Sequence, residues 1–146
     1  KKGGTAIILH QCTDKFDRDQ HAPYVEFFHK ILPRTRDAME IHREYERDFA
    51  RNPAYIQMYR TGKGYHPAHP FYMWYWGENG RAHVGKVIVV GAEEPEVARR
   101  MGWECASTME EALEMAQSHV GRPPSITHLH VPPINMAEVF GAPASI

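Results

Sequence analysis

The chain has 146 residues, of which 42% are hydrophobic and 24% are charged. These fractions are typical of a globular domain and exclude an intrinsically disordered chain. The 17 basic and 18 acidic side chains leave a formal net charge of −1, which disfavours nucleic acid or an anionic membrane as a partner. No apolar run reaches the roughly 18 residues that cross a bilayer, and no signal-peptide core is present. We therefore expect one cytoplasmic domain spanning residues 1–146.

The N-terminal part predicts a strand followed by an amphipathic helix. Residues 5–12 (TAIILHQC) form a short apolar run, which is typical of a strand buried on both faces. Pro23 suits the first turn of a helix, and Pro33 would stop it. The apolar stripe of this helix has helical spacing and consists of Tyr24, Phe27, Phe28, Ile31 and Leu32.

Two further helices are predicted before the first glycine-rich loop. Thr35 is expected to cap the first of them, with Asp37 in its first turn where the helix dipole favours negative charge. Asn52 followed by Pro53 predicts the start of the other, which should end before Gly62.

The middle of the chain combines an aromatic run with a second strand. Residues 71–76 (FYMWYW) are dense in aromatic side chains. Gly77, Asn79 and Gly80 then disfavour a helix. Residues 86–91 (KVIVVG) predict a buried strand.

The C-terminal part predicts two helices and two extended segments. Pro95 begins a short helix that Gly102 terminates, and residues 103–106 form a brief extended piece. Ser107 and Glu110 have the spacing of a capping box at the start of the next helix.

Residues 125–131 (SITHLHV) predict a further strand. Strands separated by helices indicate right-handed crossovers and a parallel sheet. We therefore expect an α/β fold, a three-layer Rossmann-like domain with a mainly parallel sheet of about four strands and helices on both faces. Ligands of such sheets bind beyond the carboxyl ends of the strands, so the loops after Gln11, Gly91 and Val131 are the first places to seek function.

The residues of these loops match two enzyme motifs only in part. Cys12 and Arg18 have the Cys-x5-Arg spacing of a tyrosine phosphatase loop. The loop between them carries Asp14 and Asp17 and has no glycine, which disfavours phosphate, so we expect a structural cysteine. Gly91 is followed by an alanine and two glutamates, which does not match the glycine pattern of a dinucleotide site.

Histidines provide a second hypothesis, a small metal-binding protein. His66 and His69 share a loop, and His128 and His130 point to one face of the predicted last strand. A packing role is the more common one for histidine.

The aromatic run has two interpretations. On a helix, Phe71, Trp74 and Tyr75 share one face, whereas Tyr72 and Trp76 lie elsewhere. A segment that is apolar all round is either buried in the chain's own core or covered by a partner domain.

Three stretches resemble the C-terminal domain of the nickel-dependent lactate racemase family: KKGGTAIILHQCTD, GKVIVVGAEEPEVARRMGWECASTMEEALEMAQ and SITHLHVPP. Thr108, Glu111 and Ala112 correspond to the family's T-x-x-E-A helix. Family members racemise or epimerise 2-hydroxy acids with a nickel pincer nucleotide that is held, with the catalytic histidines, in the N-terminal domain. The resemblance implies that this chain contains no catalytic, cofactor-binding or metal-binding residue. Its implied partners are the N-terminal catalytic domain of the same protein and a small 2-hydroxy acid.

The sequence departs from the family after the first strand, where residues 15–18 (KFDR) replace a glycine-rich loop. Where the family has a tryptophan before the second strand, the nearest counterpart here is Phe71. We expect a cleft-closing domain that is inactive alone; the alternative is a stand-alone Rossmann-like binding or interaction module. The candidate cleft or domain-interface residues are His10, Gln11, Lys15, His69, Phe71 and Trp74.

Overall fold

A computed structural model describes residues 2–121 and 123–129. The elements in this part of the chain, in order, are β1 (Thr5–Leu9), α1 (Arg18–Glu26), α2 (Ala38–Ile41), α3 (Arg47–Arg51), α4 (Pro53–Thr61), α5 (His69–Trp76), α6 (Glu78–His83), β2 (Lys86–Val90), α7 (Pro95–Arg100), β3 (Glu104–Ala106) and α8 (Met109–Val120). A π-helical segment, Phe27–Ile31, extends α1, and a second one, His42–Glu46, joins α2 to α3. No helix among these residues is long and apolar enough to cross a membrane.

The three strands form one parallel sheet in the order β1-β2-β3. The central strand is the most apolar, and its Ile88 and Val89 are completely buried. Ile88 packs with α8 on one face of the sheet, while Val89 packs with Ala98 of α7 on the other. The predicted α/β fold with a parallel sheet is confirmed, with three strands in the described residues.

The first strand is shorter and more exposed than its sequence predicts. It ends at Leu9 rather than at Cys12, although His10 N still donates to Val90 O (3.1 Å). Cys12 has a φ of +44°, a left-handed conformation that a strand cannot contain. Among the described residues β1 pairs only with β2, which leaves it at the edge of that sheet, and Leu9 is 69% exposed.

The prediction of a strand over residues 125–131 is wrong for residues 125–129, which are not in the sheet. Residues 130 and 131 lie outside the described residues. An apolar alternating pattern forms a strand only where a neighbouring strand completes its hydrogen bonds.

The first helix begins before Pro23, which is a correction to the predicted start. Asp17 is the N-cap, and its carboxylate accepts from the amides of Asp19 (3.0 Å) and Gln20 (3.3 Å). Pro23 lies inside α1, where its ring removes a backbone donor. The helix accommodates it with a kink at His21, whose φ and ψ are −108° and 19°.

The N-cap of the next helix also lies two residues later than predicted. Asp37, not Thr35, is the N-cap, and its carboxylate accepts from Glu40 N (2.7 Å). The Thr35 hydroxyl instead accepts from Asp37 N (3.2 Å). The predicted start of α4 is confirmed, because Asn52 caps it with bonds to the first-turn amides.

The capping box of α8 is shifted by one residue. Thr108 is the N-cap and accepts from Glu111 N (3.2 Å), whereas the sequence prediction paired Ser107 with Glu110. The carboxylate of Glu111 returns the interaction by accepting from Ser107 N (2.6 Å). The two bonds therefore satisfy the amide of Glu111 in the first turn of α8 and the amide of Ser107 just before the cap.

Contrary to prediction, a short helix, α6, forms over Gly80 after a turn at Gly77. The reason is Arg81 in α6, which donates to Trp74 O and to the Glu78 carboxylate, both at 2.6 Å. Its guanidinium also lies 3.9 Å from the centre of the Trp74 ring. These contacts offset the low helix propensity of Gly80.

The helices enclose an aromatic core of their own. Phe71 of α5 is completely buried, with its ring centroid 5.0 Å from those of both Phe27 and Phe49. Trp74 is buried beside them and donates from Nε1 to Arg36 O (3.1 Å). Phe71 and Trp74 are therefore buried in the chain's own core, which is the first of the two interpretations of the aromatic run. The exposed large side chains of α5 are Tyr72, Met73 and Trp76.

Candidate functional site

Two loops form the carboxyl-end edge of the sheet. Residues 10–17 follow β1, and residues 91–94 follow β2. The loops are joined where Glu93 N donates to Gln11 O (2.6 Å). An exposed ion pair between Lys15 and Glu93 (3.8 Å) also joins the two loops, but it adds little stability because solvent screens it. The edge is thus one continuous polar surface at the place where open parallel sheets bind ligands.

His10 is held in a defined tautomer at this edge. Cys12 N donates to His10 Nδ1 (2.9 Å), so Nδ1 is unprotonated and the ring proton is on Nε2. The imidazole is exposed. His10 therefore presents an N–H donor to solvent from a fixed ring.

Cys12 and Arg18 do not form a phosphatase-like site. The thiol is buried with Val89 and Ala98 in the core between the sheet and α7, whereas Arg18 is exposed. Burial, assisted by the nearby Cys105 thiol, raises the pKa of Cys12, which keeps the thiol protonated and unreactive. The geometry agrees with a structural cysteine.

A second histidine, His29, links the loop after β1 to the helices through hydrogen bonds. Arg100 donates to His29 Nδ1 (2.8 Å), and His29 Nε2 bonds to the Asp14 carboxylate (3.1 Å). Asp14 N in turn donates to the Glu94 carboxylate (3.2 Å). Since arginine only donates, His29 is the Nε2–H tautomer and donates to Asp14. This chain of bonds fixes the loop after β1 against α7.

Four aromatic rings meet next to this edge, and we call them the His–Tyr cluster: His21, Tyr24, Tyr65 and His69. Tyr65 is stacked between the two imidazoles, with ring centroids 5.1 Å from His21 and 5.2 Å from His69. The Tyr24 hydroxyl is hydrogen-bonded to His69 Nδ1. Tyr65 N donates to Gln20 O (2.9 Å), which holds the loop before α5 against α1.

Phe16 joins the His–Tyr cluster to the sheet edge. It lies in the loop after β1, and its ring centroid is 6.5 Å from that of His21 and 5.7 Å from that of Phe28. Tyr65 is 42% exposed, and His21 Nδ1 is buried without a hydrogen-bond partner among the described residues. The cluster is therefore an open, ring-lined extension of the polar edge.

The structure separates the predicted cleft residues into three groups. His10, Gln11 and Lys15 are exposed at the sheet edge. His69 is in the His–Tyr cluster, and Phe71 and Trp74 are in the aromatic core. The sequence prediction did not include the other three rings of the cluster.

Within residues 2–121 and 123–129, no group of three or more potential ligands is close enough to hold a metal ion. The described residues therefore offer no site for the metal-binding hypothesis. His66 Nδ1 accepts from Ala68 N (3.2 Å), and His69 Nδ1 is bonded to Tyr24. His130 lies outside the described residues.

Comparisons with models of protein families, with curated proteins and with solved structures found no match for this chain.

Proposed function

We propose that this chain is the cleft-closing domain of a lactate racemase-like isomerase of 2-hydroxy acids, with a three-layer Rossmann-like arrangement. The resemblance of its three sequence stretches to that family is the starting point. The observation that supports it best is the carboxyl-end edge, where His10 and Lys15 offer donors beside the His–Tyr cluster. Oriented donors beside rings can bind a small polar acid and exclude water when a second domain covers them.

In this proposal the nickel pincer nucleotide belongs to the N-terminal domain. The imidazoles of His10, His66 and His69 each use Nδ1 in a hydrogen bond within the chain. In this proposal His10 and His66, which accept backbone hydrogen bonds at Nδ1, offer their Nε2–H to a substrate rather than bind a metal ion. The chain's role is to bind and enclose.

The test is a racemisation assay with the intact gene product. Purified protein, produced with its nickel cofactor, is incubated with single enantiomers of several 2-hydroxy acids, and the products are separated by chiral chromatography. We expect the opposite enantiomer of at least one acid to accumulate, while the 146-residue chain alone produces none. Racemisation by the chain alone, or no racemisation by the intact protein, would contradict the proposal.

The exposed side of α5 favours a second candidate, a stand-alone interaction module. Tyr72, Met73 and Trp76 present a contiguous apolar face, and Trp76 is 75% exposed. Exposed aromatic side chains are enriched at protein interfaces. A native gene whose start methionine lies immediately before Lys1, and whose product lacks racemase activity, would favour this candidate.

A further inference from the structure

The His–Tyr cluster joins the Tyr24 hydroxyl to His69 Nδ1 through a hydrogen bond. Burial, assisted by the neighbouring Tyr65, raises the pKa of Tyr24, so its phenol keeps a proton. A protonated phenol can donate to His69 Nδ1, and it can equally accept from an Nδ1–H. When the phenol donates, the ring proton of His69 is on Nε2 and can be offered to a ligand.

The sequence around His69 favours a negatively charged ligand. His66, three residues earlier, accepts the amide of Ala68 at Nδ1 (3.2 Å) and so also carries its proton on Nε2. The segment from residue 62 to residue 77 contains Lys63 and no acidic residue. Two imidazole donors and a cation therefore come from one short stretch of chain.

Tyr65 supplies the apolar part of the same surface. Its ring is fixed between two imidazoles and is 42% exposed. A flat ring beside N–H donors matches a small organic acid, whose carbon skeleton packs on the ring while its carboxylate accepts hydrogen bonds. Inorganic anions would use only the donors.

We propose that the His–Tyr cluster is a carboxylate-binding subsite for small organic acids, in which the Nε2–H of His69 donates to the carboxylate. Tyr24 is a positioning residue that fixes the His69 ring and tautomer. This binding is a property of the chain itself and goes beyond the racemase proposal, which requires a second domain.

The experiment is a titration of the 146-residue chain, labelled with 15N-histidine, with sodium L-lactate at constant ionic strength. Long-range 1H–15N spectra report the protonation of each ring nitrogen. We expect saturable movement of the His69 signals with a Kd of about 5 mM, a weak affinity that suits a ligand of few atoms. Lactamide, which has the same shape without the charge, should bind at least about tenfold more weakly, because charge-assisted hydrogen bonds are the stronger ones.

Variants separate a binding role from a structural one. His69→Phe should abolish the saturable response, whereas His83→Phe, a change at an exposed histidine of α6, should leave the Kd unchanged. Tyr24→Phe removes a single oxygen and keeps the ring. We expect it to raise the Kd about fivefold, from the loss of one hydrogen bond, and to move the His69 15N shifts toward a mixture of tautomers.

Three results would overturn the subsite: His69 signals that do not move with lactate, equal binding of lactate and lactamide, or unchanged tautomer shifts in Tyr24→Phe. These results are distinct from failure of the racemase proposal. A chain that binds lactate as described, from an intact protein that racemises no acid, retains the subsite and loses only the racemase function.

Discussion

The replacement of Phe71 by alanine tests the aromatic core most sharply. Phe71 is completely buried between the rings of Phe27 and Phe49, each with its centroid at 5.0 Å. Deleting a buried phenylalanine costs about 3–5 kcal/mol, through lost burial and the cavity that remains. With an m-value of about 2 kcal/mol/M in urea, the unfolding midpoint should fall by about 2 M.

The assay is urea denaturation followed by circular dichroism, with Tyr72→Ala as the matched control. Tyr72 is the next residue in α5 and is 47% exposed, so its replacement should change the free energy of unfolding by less than about 0.5 kcal/mol. Phe71→Leu should give an intermediate loss of about 1–2 kcal/mol, because part of the volume is retained. Equal midpoints for Phe71→Ala and Tyr72→Ala would refute the core assignment and return Phe71 to the candidate interface.

Four further variants test local features of the fold. Asn52→Ala removes the cap of α4 and should lower stability by about 1 kcal/mol in thermal melts; an unchanged melting temperature would contradict the cap. Gly85→Ala should destabilise by about 1–3 kcal/mol, since a Cβ there would lie 2.6 Å from a backbone oxygen, whereas Gly80→Ala, with open space around it, should be neutral or stabilising in the same melts. The hydrogen bond from Tyr55 lowers the pKa of Glu26. That carboxylate therefore adds stability that is present above the ordinary Glu pKa and is lost as pH falls through the lowered value; Glu26→Gln should flatten the acid limb of the stability–pH curve, and an unaltered limb would contradict the bond.

The sequence predicted those parts of the fold that depend on local signals. The Asn52 cap, the Pro95 helix start and the apolar run of β2 all lie where they were expected. The end of β1 could not be predicted from its apolar pattern, because it depends on the left-handed Cys12 and on the pairing with β2. The predicted helix start at Pro23 is wrong because a proline suits a first turn but is also tolerated at a kink inside a helix.

The candidate site was only partly predictable for a related reason. His10 could be predicted because it lies at the end of the first strand. His69 could be predicted from the family resemblance. The contact between Tyr24 and His69 joins residues 45 positions apart, and no spacing rule reports such a pair. Arg81 is a comparable case: its contacts with Trp74, and not its local propensity, account for the helix across Gly80.

Hydrogen–deuterium exchange on the intact gene product tests most directly whether the carboxyl-end edge faces the substrate. Exchange is followed by mass spectrometry with and without a saturating 2-hydroxy acid. The account predicts slower exchange in residues 10–17 and 65–69, and no change in residues 77–85, which precede β2. Protection confined to residues 77–85, or no protection at residues 10–17 and 65–69 while the acid is bound, would contradict it.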